Sequence, residues 1–249
     1  MNRIIALLYG IISYLIFLAT IIYAIGFFGN FIVPKSIDSS EMDTVAHSLI
    51  INFTLIGIFA IQHSVMARPA FKHWVMHFIP QAIERSTYVL LSSLALILLY
   101  WQWRPINMMV WNVENSVGYY ALWILYSVGW LILLISTFLI SHFDLFGIRQ
   151  VYLNIKCHEY TDIPFSTPFF YKLVRHPIML GFIIIFWTTP YMTVAHLVFS
   201  TVITIYIIIA LQLEEHDLIN YYGHLYKAYQ QKVSMILPIP KKEKMVKIK

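Results

Sequence analysis

Residues 177–213 read PIMLGFIIIFWTTPYMTVAHLVFSTVITIYIIIALQL, two apolar runs with no Asp, Glu, Lys or Arg in either. The second run, Val194–Leu213, matches the roughly 20 residues that a helix needs to cross a bilayer core. The first, Pro177–Pro190, has only 14 residues, and at about 1.5 Å per residue it reaches ~21 Å, short of a core near 30 Å. Whether it crosses decides between five and six crossings. Four more runs lie upstream, at Ile4–Phe28, Val45–Met66, Thr87–Trp103 and Tyr119–Ile140. Ile4–Phe28 is 25 residues without a charge, longer than the roughly 7–15 apolar residues of a signal peptide, so it reads as a retained helix.

Composition agrees with these runs. Of 249 residues 59% are hydrophobic and 12% charged, against roughly 45–50% and about 25% in soluble domains. Half the usual charge cannot cover a water-exposed surface. The expected fold is all-α: a polytopic integral membrane helix bundle of five to six transmembrane helices, ending in a helical hairpin. It is expected to form one membrane unit, with residues 1–140 as a four-helix part and 141–249 as loop, hairpin and basic tail.

Charge placement favours six crossings. With six, Arg3, the loop cations Arg68, Lys72, Arg85, Arg149, Lys156, Lys172 and Arg175, and the seven lysines from Lys227 onward share one side. Only Lys35 and Arg104 lie opposite. This is the polarity of the positive-inside rule, with both termini cytoplasmic and the hairpin turning at Thr188-Thr189-Pro190. The net charge of +5 could suggest nucleic acid. Seven of the cations fall in the last 25 residues, behind a membrane segment, so anionic membrane lipids are the expected partner and nucleic acid is set aside. Nothing in the chain reports its oligomeric state. The single cysteine, Cys157, excludes a disulfide framework and a Cys-based metal centre. A G-x-G-x-x-G loop is absent, which argues against a soluble Rossmann-type site.

Polar chemistry gathers at the two feet of the hairpin. The first foot reads Tyr171-Lys172-Leu173-Val174-Arg175-His176-Pro177-Ile178-Met179-Leu180-Gly181. Proline at 177 suits the first turn of a helix and disfavours helix at His176, so Arg175 and His176 are presented at a helix N-terminus, where an anion can sit. Gly181 permits close approach of a ligand or of a neighbouring helix. The second foot carries Glu214, Glu215 and Asp217, which near a lipid core cost several kcal/mol unless they face water, a cation or donors. Each foot alone also reads as an anchoring or solvated helix end. Together they suit a zwitterion with carboxylate, ammonium and ribose hydroxyls. No metal site is expected, because no carboxylate or cysteine completes His73 and His77. Asn52, Gln62 and His63 place polar groups inside the second helix, for interhelical hydrogen bonds or for lining an acceptor pocket.

Arg175-His176-Pro177 with Met179 and Gly181, Glu214-Glu215-x-x-Leu218, Tyr222-Gly223-x-x-Tyr226-x-x-Tyr229 and Ile236-Leu237-Pro238 resemble the C-terminal half of the isoprenylcysteine carboxyl methyltransferase-like membrane enzymes. The resemblance is sharper to their methanethiol S-methyltransferase branch, through His63-Ser64-x-Met66-Ala67-Arg68-Pro69-Ala70-Phe71, Glu84-Arg85-Ser86-Thr87-Tyr88, Trp101-x-Trp103-Arg104-Pro105 and Phe143-Asp144-Leu145-Phe146-Gly147-x-Arg149-Gln150. One departure is Met179, where the broader family often has tyrosine. The resemblance implies S-adenosylmethionine-dependent methylation of a small thiol, methanethiol, to dimethyl sulfide at the inner face of a bacterial cytoplasmic membrane. It also implies a cofactor site at Tyr171, Arg175, His176, Pro177, Met179, Gly181, Glu214 and Glu215. Arg175 would hold the methionyl carboxylate or orient the acceptor, Glu214 or Glu215 the ribose or ammonium, and His176 would be the leading base. The alternatives are carboxyl methylation of a prenylated cysteine and a non-catalytic nurim-like scaffold.

Overall fold

A computed structural model describes residues 2–39 and 43–239. Its long helices are α1 (Arg3–Gly29), α2 (Val45–Ala67), α4 (Gln81–Gln102), α5 (Ser116–Ile140) and α9 (Val194–Tyr222), each long and apolar enough to cross a membrane. The shorter ones are α3 (Pro69–Val75), α6 (His142–Leu145), α7 (Ile148–Ile155), α8 (Pro177–Trp187) and α10 (His224–Lys232).

Four of the apolar runs begin just after a side chain that accepts from the first turn. Asn2 accepts from Ile4 N–H at 2.9 Å, Thr44 from His47 at 3.4 Å, Asn115 from Gly118 at 2.7 Å and Thr193 from His196 at 3.2 Å. Each cap satisfies a backbone donor that has no partner in the helix. On α1, Ile4, Ile5, Leu8, Ile12, Leu15 and Ile22 are exposed, an apolar surface that lipid covers and water would not. The chain is therefore an integral membrane protein.

The short run forms α8, of 11 residues or ~16 Å. It nonetheless runs alongside α9, with its two ends near the two ends of that helix. Phe186 O accepts from Ser200 Oγ and lies 3.1 Å from His196 Nε2, while His176, just before α8, touches Glu215. Extended residues cover the remaining distance to α9, and among them Tyr191–Thr193 (β2) pairs antiparallel with Met109–Asn112 (β1), Met109 opposite Thr193 and Asn112 opposite Tyr191. This ladder was not foreseen, because strands of four and three residues are too short to show an alternating pattern.

Helix α8 lies against α5 at two glycines: a Cβ on Gly181 would meet the Gly129 carbonyl oxygen at 2.8 Å. The shared core includes Phe27 and Phe28 of α1, Leu55 of α2, Leu99 of α4, Tyr126 of α5, Ile185 of α8 and Phe199 of α9. Asn52, fully buried, accepts from Arg104 N–H at 2.9 Å and donates to Arg104 O at 2.7 Å. Asn52 thus ties α2 to the segment that follows α4. The Phe143–Gln150 stretch folds as α6 and the start of α7 around Asp144, which accepts from Arg149 at 2.9 Å and from Tyr160 at 3.3 Å. Between these two helices Gly147 holds a positive φ of 86°, and a Cβ there would meet Ser86 N at 2.8 Å.

Candidate functional site

Val174 to His176 run extended before α8, as a residue preceding proline must, and lie beside residues 234–235. Arg175 N–H donates to Ser234 O at 2.9 Å and His176 N–H to Met235 O at 3.1 Å. The turn after α10 therefore fixes the backbone that carries both side chains. From there Arg175 reaches Glu215 of α9 with two bonds, Nε to Oε1 at 2.6 Å and Nη2 to Oε2 at 2.9 Å. Nη1 donates to Val233 O at 2.5 Å and to Gln230 O at 3.3 Å. These bonds use four of the five guanidinium protons, and one on Nη2 is left for a further acceptor.

Glu215 is the hub. It also accepts from Gln230 Nε2 at 2.8 Å and from the Tyr226 hydroxyl at 3.4 Å, and His176 Nε2 lies 3.0 Å from its Oε1. That contact assigns the imidazole proton to Nε2, since a carboxylate can only accept. Arg175, His176 and Glu215 are each 8% exposed. The two feet of the hairpin meet, and they do so by neutralising one another.

The remaining site candidates divide. Pro177 opens α8. Tyr171 precedes the helix in a 3-10 turn, Phe169–Lys172; its hydroxyl donates to Ser136 O at 3.3 Å and its carbonyl accepts from Tyr229 at 2.5 Å. Met179 packs against the apolar core, and Gly181 is occupied by the neighbouring helix α5. Glu214 is exposed, and its charge acts on the hydroxyls of Tyr88, Tyr171 and Tyr226. Asp217 pairs with Arg68 of α2 at 2.9 Å. Burial pushes the Tyr229 phenol up to about 12 and raises those of Tyr171 and Tyr226 too. All three are neutral donors at ordinary pH.

Sequence reasoning missed Gln230 and the tyrosines of a second cluster one layer deeper in the membrane. There the Tyr88 hydroxyl lies 2.9 Å from His63 Nε2, Ser92 Oγ lies 3.2 Å from Nδ1, and the Phe59 ring stacks on the imidazole with centroids 5.2 Å apart. Ser64 Oγ meets the Tyr206 hydroxyl at 2.9 Å. The available signal was Tyr206 itself, a hydroxyl placed within an isoleucine-rich run. Among the described residues no group of three His, Cys, Asp or Glu is placed to hold a metal.

Against known proteins, the methanethiol S-methyltransferase of Crocosphaera subtropica is 53% identical over 238 residues, covering 96% of this chain and 93% of that protein. The protein of the same name from Mycobacterium tuberculosis is 50% identical over 240 residues, covering 96% and 98%. Nurim of Mus musculus is 26% identical over 186 residues, 70% of each chain. No family model and no solved structure matches. Near-full-length identity of about one residue in two with the first two proteins, shared by a chain whose two polar feet join in one buried clasp, means that it belongs to the methanethiol S-methyltransferase family.

Proposed function

We propose that the chain methylates methanethiol to dimethyl sulfide, with S-adenosylmethionine as donor, at the cytoplasmic face of a bacterial membrane. The observation that carries this reading is the Arg175–Glu215–His176 clasp, placed at the end of the bundle where the cationic loops gather and held by a chain that aligns end to end with named methanethiol S-methyltransferases.

The fit to a zwitterionic donor rests on the residues themselves. The free Nη2 proton of Arg175 and the unpaired N–H groups opening α8 suit a carboxylate. The exposed Glu214 suits an ammonium or ribose hydroxyls. Glu215 does not bind in this account. It holds the Arg175 plane and the His176 ring in place, and both thereby support the donor site. Gly181 and Met179, turned into the helix packing, bound the site from below.

S-adenosylmethionine supplies a methyl on a cationic sulfur. A thiolate attacking that methyl cancels charge, so burial of the clasp and the apolar surroundings favour the reaction, and the protein's main task is alignment. The cations on the clasp side set the proposed orientation, termini inward. The expected lipid contact of Lys241, Lys242, Lys244, Lys247 and Lys249 lies outside the described residues.

Cells expressing the chain and fed methanethiol are expected to release dimethyl sulfide into the headspace, and cells expressing Glu215→Gln are not. Membranes that methylate a farnesylcysteine analogue and leave methanethiol untouched would overturn the reading in favour of carboxyl methylation. Membranes that fail to bind labelled S-adenosylmethionine would overturn it in favour of a scaffold.

A further inference from the structure

One step needs a base, removal of the thiol proton. His176 donates its Nε2 proton to Glu215, which leaves a lone pair on Nδ1, so it stands as the rival base that the test below separates. His63 has different company. Its nitrogens lie 2.9–3.2 Å from the hydroxyls of Tyr88 and Ser92, groups that can accept or donate, so one ring nitrogen can offer a lone pair. The residue as a whole is half-buried. Around it stand Phe59, the ring of Tyr88 with centroids 5.1 Å away, and Tyr206, whose ring lies 6.3 Å from that of Phe59. Met66 and Gln62 meet at 3.1 Å close by. Aromatic faces and a thioether suit the carbon and sulfur of a one-carbon thiol, which as a neutral apolar molecule enters from the lipid side.

Placement along the helices links this aromatic cluster to the clasp. Ser64 meets Tyr206, and Arg68 meets Asp217, so this face of α2 runs down the α9 face that carries Glu214. His63 lies four residues, ~6 Å, before Ala67, the last residue of α2. The charged and titratable groups facing the cluster are Arg85 and Tyr88 of α4, Tyr206, Glu214 and Asp217 of α9, Arg68 of α2 and Lys72 of α3.

We propose that the aromatic cluster between α2, α4 and α9 is the acceptor site and that His63 is the base that takes the thiol proton, with Tyr88 positioning its ring. This rests on the methyltransferase reading above. In the step, the S–H bond breaks and its proton goes to the imidazole lone pair. The thiolate electron pair forms the new C–S bond, and the bond from the methyl to the donor sulfur breaks with its pair retained on that sulfur. The imidazolium proton then leaves by way of the Tyr88 hydroxyl to water at the exposed Glu214.

The test is His63→Gln in the full chain in detergent, with Tyr88→Phe beside it. Binding of labelled S-adenosylmethionine is expected to stay within about twofold of wild type in both, which also reports a folded protein, while kcat/KM for methanethiol at pH 7 falls roughly 100-fold in His63→Gln, a general-base contribution. The pH profile carries the distinction: the His63→Gln rate rises about tenfold per pH unit as the free thiol ionises, where wild type is flat. Hydrogen sulfide, a stronger acid than methanethiol, loses less. Tyr88→Phe is expected to lose about tenfold without acquiring the slope. A wild-type rate and profile in His63→Gln, or the slope appearing in His176→Gln instead, overturns the assignment while leaving methanethiol methylation intact. Absence of dimethyl sulfide from the wild-type chain overturns both.

Discussion

Arg175 and Glu215, forty residues apart, meet fork to fork through bonds of 2.6 and 2.9 Å with both side chains buried. Lysine keeps the charge but offers a point in place of a plane, so Arg175→Lys cannot reproduce the paired bonds or reach Val233 O as well. Removing either partner strands a buried charge and costs about 3–5 kcal/mol. Arg175→Lys and Glu215→Gln are therefore expected to lower the melting temperature in detergent and to weaken S-adenosylmethionine binding more than tenfold. An apolar pair, Arg175→Met with Glu215→Leu, removes both charges at once and is expected to regain much of the stability without regaining binding. Recovery of binding by the apolar pair would reduce the clasp to a structural tie.

The crossing of α5 and α8 rests on Gly129 and Gly181. A methyl at 181 would press on the Gly129 carbonyl at 2.8 Å and on Leu133 N at 3.0 Å, backbone atoms that cannot turn aside. Gly181→Ala is expected to destabilise by about 1–3 kcal/mol, as overpacking does. At Gly57 of α2 a Cβ meets nothing within 4 Å, and Gly57→Ala serves as the control. Thermal unfolding of the two variants side by side is the measurement. Equal melting temperatures would remove close helix approach as the reason for glycine at 181.

These two regions differ in how far the sequence announces them. The apolar runs were legible because no soluble fold covers such blocks, and their ends fell near the observed helices. The exceptions are α4, which starts at Gln81, six residues before its apolar run, and α9, which ends at Tyr222, nine residues after its run, since charged residues extend both past the lipid. Both feet of the hairpin were legible as polar patches. Their direct pairing was not, because each was read as a seat for ligand charge, whereas the nearest opposite charge for Arg175 is Glu215 itself. Gln230 carries no mark in one dimension, and Tyr88, though it closes the Glu84–Tyr88 motif, shows no partner there; only the fold brings one to Glu215 and the other to His63.

His142, just past the C-terminal end of α5, ties three segments together. Thr137 Oγ1 donates to Leu134 O and so accepts from His142 Nδ1–H at 2.9 Å; Nε2 accepts from the Tyr14 hydroxyl at 2.8 Å. The ring also stacks on Phe138 with centroids 4.2 Å apart. This neutral tautomer is favoured by burial, which lowers the His142 pKa. The unfolded chain, titrating near 6.5, then binds more protons than the folded one in the window below that value, so stability rises with pH there and is lost as pH falls. His142→Gln is expected to unfold at nearly the same temperature at pH 7 and pH 5, where wild type loses several degrees. An equal loss in both would place the acid sensitivity elsewhere.

Gln230 donates to Glu215 Oε2 at 2.8 Å, the one neutral amide among the groups holding that carboxylate. Gln230→Glu replaces a donor by an acceptor and sets two carboxylates within bonding distance, a repulsion that one of them relieves by keeping a proton. The introduced carboxyl at 230 is thereby pushed above the ordinary carboxylate range. Once protonated it again presents an O–H to Glu215, as the amide presented an N–H. Binding of labelled S-adenosylmethionine by Gln230→Glu is therefore expected to be at least tenfold weaker than wild type at pH 8 and to recover toward it as pH falls through about 6, reversibly. Gln230→Leu, which lacks both donor and charge, is expected to be weaker by a smaller factor at every pH. A Gln230→Glu variant with flat, wild-type binding from pH 8 to pH 5 would show that the geometry of Glu215 does not govern the donor site.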